Sequence, residues 1–147
     1  MDFTYNADKI RKLSSELQIA LEKLQGLSEL SKQEFLADFH KIASAKYLLI
    51  VSIEAAIDLC NHIISANRYR TPDDYADTFK VMEENKFFAK KFTEQLMQMA
   101  RFRNRLVHIY WDVNDELVYT FLQEDIHDLE LFLERFIKSL NEKKDKQ

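Results

Sequence analysis

A single glycine and a single proline in 147 residues constrain this chain more than any other feature. A β-protein reverses direction often, and its tight hairpins draw on Gly, Asn-Gly or Asp-Gly because their central residues need positive φ. With that turn chemistry almost missing, the fold class expected is all-α, an up-and-down bundle of four main helices with short helices between them. The length suits one compact domain, expected over 1–140, with 46% apolar residues to supply its core. The charged segment 141–147 has no apolar period and is expected to fray.

Helix signals divide the chain. Asn6 is a good N-cap ahead of Ile10, Leu13, Leu17, Leu21 and Leu24, and Gly26 is expected to stop that first helix. Ser31 and Glu34 have capping-box spacing, so a long helix is expected to begin there and reach about Asn67. Its apolar positions Phe39, Ile42, Leu49, Ile53, Ile57, Cys60 and Ile64 form one side, and Leu48, Val51, Ala55 and Leu59 a second, which marks it as central. A second subunit or the chain's own helices could cover that second side. Thr71-Pro72-Asp73-Asp74 places a cap, a proline at the first helical position and acids in the first turn of a short helix ending near Glu84. A further helix is expected from about Phe88 to Tyr110, and Asn114 should cap the last.

Composition narrows the function classes. A net charge of −4 argues against a protein that coats nucleic acid broadly, yet leaves room for a small site gripping one or two phosphates. Cys60 is the only cysteine, so no internal disulfide or cysteine zinc cluster is expected, and a reducing cytoplasm fits. The first residues lack the pattern of a secretory signal. The most apolar run, Tyr47 to Ile53, is interrupted by Glu54 and Asp58, so no membrane span is expected.

Charge is polarised along the second half. Lys86, Lys90, Lys91, Arg101, Arg103 and Arg105 face the single acid Glu94 before Tyr110, whereas Asp112 to Glu134 holds eight acids and no Lys or Arg. At about 100° per residue, His108 shares a helix face with Asn104 and Arg101, while Tyr110 falls seven residues after Arg103. His108 and Arg103 are about 140° apart in projection, so the long arginine either wraps toward a ligand held by His108 or reaches the His108 of a facing subunit. The second option favours a site at a dimer interface. Cleaving RNA without metal needs a base for the 2′-hydroxyl, an acid for the leaving oxygen and a cation for the phosphorane, and histidine and arginine supply these. Read from spacing alone, one helical histidine near arginines is more often structural.

The stretch Met99-Ala100-Arg101-Phe102-Arg103-Asn104-Arg105-Leu106-Val107-His108-Ile109-Tyr110 resembles the R-x4-H-x-Y signature of HepT-like toxins in the HEPN superfamily. Cys60 to Ile64, Thr71 to Phe79 and Asp115 to Tyr119 are similar to the flanking parts of that family, so the resemblance spans most of the chain. It implies a HEPN-like helical bundle, a homodimer and a metal-independent ribonuclease. Arg103 and His108 would be the catalytic pair, with Asn104 beside the arginine, and Arg101 and Arg105 could contact phosphate or RNA. It implies no cofactor, and a cognate antitoxin, a minimal nucleotidyltransferase that transfers AMP to the motif tyrosine, here Tyr110. The same residues fit a second reading, a non-catalytic subunit that presents a substrate to that transferase.

Other candidates are weaker. Cys60, Asn61 and His62 with His40 could be imagined as metal ligands, but Cys60 falls on an apolar stripe and core packing is favoured; no metal is expected. Glu54 and Asp58, four apart, suit a polar contact or a partner for the motif arginines better than carboxylate chemistry. Phe87, Phe88, Phe92 and Phe102 have core spacing. Trp111 is a candidate for base stacking and carries no assigned role.

Overall fold

The computed structural model describes residues 2–109 and 112–146, and those residues form six α-helices and no strand. They are α1 (Ala7–Ser28), α2 (Lys32–Leu36), α3 (Phe39–Ala66), α4 (Tyr75–Glu84), α5 (Lys90–His108) and α6 (Asp115–Asp145). Cross-helix contacts fix the directions. The Asn6 N–H at the start of α1 donates to His62 near the end of α3, Gln25 in α1 reaches Glu130 in α6, and Phe88 and Phe102 beside and in α5 meet Phe132 and Phe121. The four long helices therefore run up and down in chain order, as expected, with α3 packed against all the others.

Local chemistry explains most boundaries. Asn6 caps α1 by accepting from the Lys9 N–H at 3.1 Å, and Asn114 caps α6 by accepting from Glu116 at 2.7 Å. The box between Ser31 and Glu34 forms, but it opens only the five-residue α2. The chain then breaks, because the Asp38 carboxylate accepts from the His40 and Lys41 N–H groups at 3.0 and 3.3 Å and starts α3 afresh. The expected single helix from Ser31 is thus two. Gly26 does not stop α1, which continues to Ser28. The short helix α4 is capped by Asp74, not Thr71, so Pro72 lies ahead of it rather than in its first turn. The segment expected to fray is helical to Asp145, and Lys143 lies 5.0 Å from the centre of the Phe87 ring.

With so little glycine, two helices end on left-handed residues that carry side chains. Arg68 (φ 56°) follows α3 and Lys86 (φ 70°) follows α4. In each case the next N–H reaches back five residues, Tyr69 to Ile64 and Phe87 to Met82, both at 3.0 Å. These paired bonds satisfy terminal carbonyls that glycine-ended helices satisfy in the same way.

The core lies where α3 meets the other long helices. Leu49, Ile53, Ile57, Cys60 and Ile63 of α3 are buried with Leu17 and Leu24 of α1 and Phe132 and Phe136 of α6. By length and composition alone, α3 could cross a membrane, contrary to the expectation from its acids. Thirteen of its residues are nevertheless buried within the bundle, which makes it a central core helix. Phe87, Phe88, Phe92 and Phe102 are buried as predicted, and Phe102 stacks on Phe121 with ring centres 3.7 Å apart.

Candidate functional site

The last turns of α5 hold the motif residues, and they divide sharply by burial. Arg103 is only 8% exposed, whereas Arg101, Arg105 and His108 are exposed and Asn104 lies between. Leu106 and Phe102 turn into the core, and this amphipathic pattern fixes the rotation of the helix. Arg103 then points at α3, where its Nη2 forms an ion pair with Glu54. Its Nη1 donates to Asn104 Oδ1 at 3.1 Å, and its guanidinium carbon sits 4.8 Å from the centre of the Tyr75 ring at the start of α4. Three helices therefore hold one cation.

A desolvated guanidinium cannot shed its proton, so its burial is tolerable only with a carboxylate and a π-face close by. Both partners open to the surface: the Glu54 side chain is 43% exposed and Tyr75 44%. The Arg103 Nε is buried and has no hydrogen-bond partner among the described residues. The clamp thus fixes the fork of the side chain between α3 and α4 without using every donor.

Asp58, one turn after Glu54, does not share the arginine. Burial first, and then the Glu54 charge, holds its carboxyl above the ordinary range, while Lys9 and Arg103 pull it back. The sequence had offered Glu54 as a partner for the motif arginines, and the ion pair to Arg103 is that role.

The positioning of Tyr75 depends on residues the sequence did not single out. Arg70 donates through Nη1 and Nη2 to Asp77 at 2.7 and 2.8 Å and through Nε to Glu84, tying the loop before α4 to the helix. These bonds, above all those from Arg70, bring the Asp77 carboxyl down to about 2. Their spacings of seven and fourteen residues cross a loop, so no helical period reveals them. Tyr75 itself is one more aromatic in sequence, and only the fold sets it under Arg103.

Asn104, four residues before His108 on α5, lies beside the arginine. Spacing had put it with His108, but it accepts from Arg103, and among the described residues no hydrogen bond joins it to His108. Tyr110 and Trp111 lie outside the described residues. The described part of α5 ends at His108, with Ile109 as its C-cap (φ −132°, ψ 42°).

The alternative candidates are absorbed by structure. Cys60 is fully buried, and burial pushes its thiol well above the usual range. His62 accepts from the Asn6 N–H through Nε2 at 2.9 Å, and desolvation and Lys9 lower its pKa, which suits an imidazole acting as acceptor. Next to it, Asn67 exchanges two 2.9 Å hydrogen bonds with Thr4 and closes the N-terminal segment onto α3.

Comparison with known proteins bears on the chain as a whole. Residues 17–136 match the family model described as ribonuclease HepT-like. The mRNA nuclease HepT of Shewanella oneidensis is 30% identical over 81 residues, 55% of this chain and 61% of that protein, so the match spans less than two thirds of the relative. The tRNA nuclease HepT of Aphanizomenon flos-aquae is 24% identical over 130 residues, 85% of this chain and 87% of the relative. Among solved structures, the tri-AMPylated Shewanella oneidensis HEPN toxin in complex with MNT antitoxin superposes with a TM-score of 0.81 at 26% identity, covering 91% of this chain and 99% of that one.

Proposed function

The chain belongs to the HepT-like ribonuclease family, and from that premise we propose that it is the toxin of a toxin–antitoxin pair, a metal-independent endoribonuclease whose catalytic residues are Arg103 and His108. The observation that carries this reading is the clamped guanidinium: Arg103 is desolvated, oriented by Glu54, Asn104 and Tyr75, and set one and a half turns before the exposed His108. The relatives described as mRNA and tRNA nucleases and the toxin solved with its antitoxin support it.

In this reading an imidazole of His108 takes the proton of a 2′-hydroxyl, the 2′-oxygen attacks the adjacent phosphorus, and a protonated imidazole returns a proton to the departing 5′-oxygen. Arg103 holds the phosphate, whose charge grows in the transition state, and Asn104 fixes the arginine. Arg101 and Arg105, exposed on the same helix, contact flanking phosphates.

One imidazole cannot be base and acid at once, so the proposed enzyme is a homodimer with two copies of His108 at a shared site. The exposed apolar side chains favour that interface. Tyr47, 64% exposed, lies seven residues before Glu54 on α3, and Val107, 40% exposed, lies four after Arg103 on α5, so both flank the clamp. The partner is a nucleotidyltransferase antitoxin acting in the cytoplasm. It would transfer AMP from ATP to the Tyr110 hydroxyl, releasing pyrophosphate and setting a phosphodiester anion and a nucleoside near the RNA site.

Purified dimer incubated with RNA in chelator tests the assignment. Cleavage is expected, and Arg103→Ala and His108→Ala should each lower it by a factor of about 100 or more. Wild-type protein that leaves RNA intact but stimulates AMP transfer by the antitoxin would instead establish a non-catalytic, substrate-presenting subunit. Intact mass after incubation with the antitoxin and ATP should show AMP additions that are absent from Tyr110→Phe.

A further inference from the structure

Away from the α5 terminus, a cleft of about 410 Å³ opens between α5 and α6. Its α5 wall presents Gln95 and Gln98, and its α6 wall presents Phe121, Glu124, Asp125 and Asp128. This α6 wall belongs to the acidic stretch Asp112 to Glu134. In the fold it has depth, because Asp125 is 3% exposed and its Oδ2 is fully buried with no hydrogen-bond partner among the described residues. A carboxyl group drawn out of water without a donor is costly, and the bundle offers it none.

We infer that this cleft is a binding site for an organic cation, a guanidinium or alkylammonium group that donates hydrogen bonds to the Asp125 carboxylate. The lining matches that ligand. Glu124 and Asp128 supply negative charge nearer the surface, Gln95 and Gln98 supply amide oxygens, and among the described residues no lysine or arginine lines the cleft. Phe121, held by its stack on Phe102, adds an aromatic wall against which the alkyl stem or the cation can pack. A metal ion fits less well. It needs several ligands converging on one point, and among the described residues no group of three or more His, Cys, Asp or Glu side chains is placed to hold one.

The protonation state supports the same ligand. Burial, reinforced by the charges of Asp128 and Glu124, raises the Asp125 carboxyl to about 8, so in the empty cleft it is mostly neutral at pH 7. His127, also lining the cleft, pulls the neighbouring Asp128 carboxyl down against the burial that raises it. A bound cation would stabilise the carboxylate and expel its proton to solvent, so binding and proton release are linked.

The cation could be a free polyamine-like metabolite or a basic side chain of a protein partner. Titration calorimetry of the full chain with agmatine and with an N-acetylarginine amide separates these: tighter agmatine binding points to a free amine, tighter binding of the capped arginine to a partner's side chain. Saturable binding accompanied by proton release is expected, weakened about tenfold or more in Asp125→Asn. In the wild type, ¹³C NMR of the Asp125 carboxyl should show its pKa fall when either probe is added, a reading that stands even if the variant does not fold. The inference is overturned if neither probe saturates, if an uncharged amide analogue binds equally well, or if the Asp125 resonance does not move.

Discussion

Burying Arg103 desolvates a group that keeps its charge, and Glu54 and Tyr75 offset that cost from two different helices. Removing the carboxylate leaves the cation without its counter-charge. Glu54→Ala should therefore lower stability by about 1–3 kcal/mol in urea titration, below the value for a fully buried pair because Glu54 is partly solvated. If Glu54 also orients the arginine for chemistry, the same variant lowers kcat more than it raises KM. A loss confined to stability would limit Glu54 to a structural role. Asp125 meets burial in the opposite way, by retaining a proton. Its folded pKa of about 8 stands above the unfolded 3.8, so the folded chain holds a proton that the unfolded chain has released throughout that window. Its contribution is thus fully present below about pH 4 and is lost as pH rises toward 8, at roughly 1.4 kcal/mol per pH unit at most. The difference in unfolding free energy between Asp125→Asn and wild type should grow in favour of the variant from pH 5 to 8. A flat difference would mean that Asp125 titrates normally.

At the scale of elements, short polar side chains start α1, α3, α4 and α6, and Arg68 and Lys86 take the left-handed positions after α3 and α4 where glycine is common. Gly26 shows that the residue type alone does not make an end. It lies exposed inside α1, nothing stands within 4 Å of where its Cβ would be, and Gly26→Ala should raise stability by about 0.5–1 kcal/mol. Thermal denaturation followed by circular dichroism measures this. The break between α2 and α3 was not read from sequence because the box at Ser31 and the apolar period through Phe35 and Phe39 are both continuous with one long helix. Asp38 overrides them, and Phe39, which the period assigns to the core, is left 76% exposed. Asp74 outcompetes Thr71 as the cap of α4 for a related reason. Asp77 is engaged by Arg70 and the Asp73 N–H, which orders the residues ahead of the helix as a turn.

For the whole molecule, the proposed catalytic unit is larger than one chain. Tyr47 and Val107 flank the clamp with apolar surface, and a two-fold interface over that face would bring two copies of α5 together. Sedimentation should show a dimer. Tyr47→Glu is expected to shift it toward monomer and to reduce RNA cleavage together with dimer content while helicity stays unchanged. A monomeric variant with full activity would place the complete site within one chain.

The sequence by itself determined the helical class, the four long elements and their up-and-down order, because periodic burial and capping act over a few residues and can be read locally. It also picked out the α5 motif, whose residues are contiguous, and offered Glu54 and Asp58 together as a polar contact or as partners for its arginines. What only tertiary structure decided is how those residues are used. Tyr75 and Glu54 are 28 and 49 positions from Arg103, and packing of Phe102 and Leu106 sets the rotation of α5 that turns the arginine toward both. The depth of Asp125 is likewise invisible in an acidic run. Burial is a property of the surface that neighbouring helices remove from water, and no local pattern encodes which carboxylate they will cover.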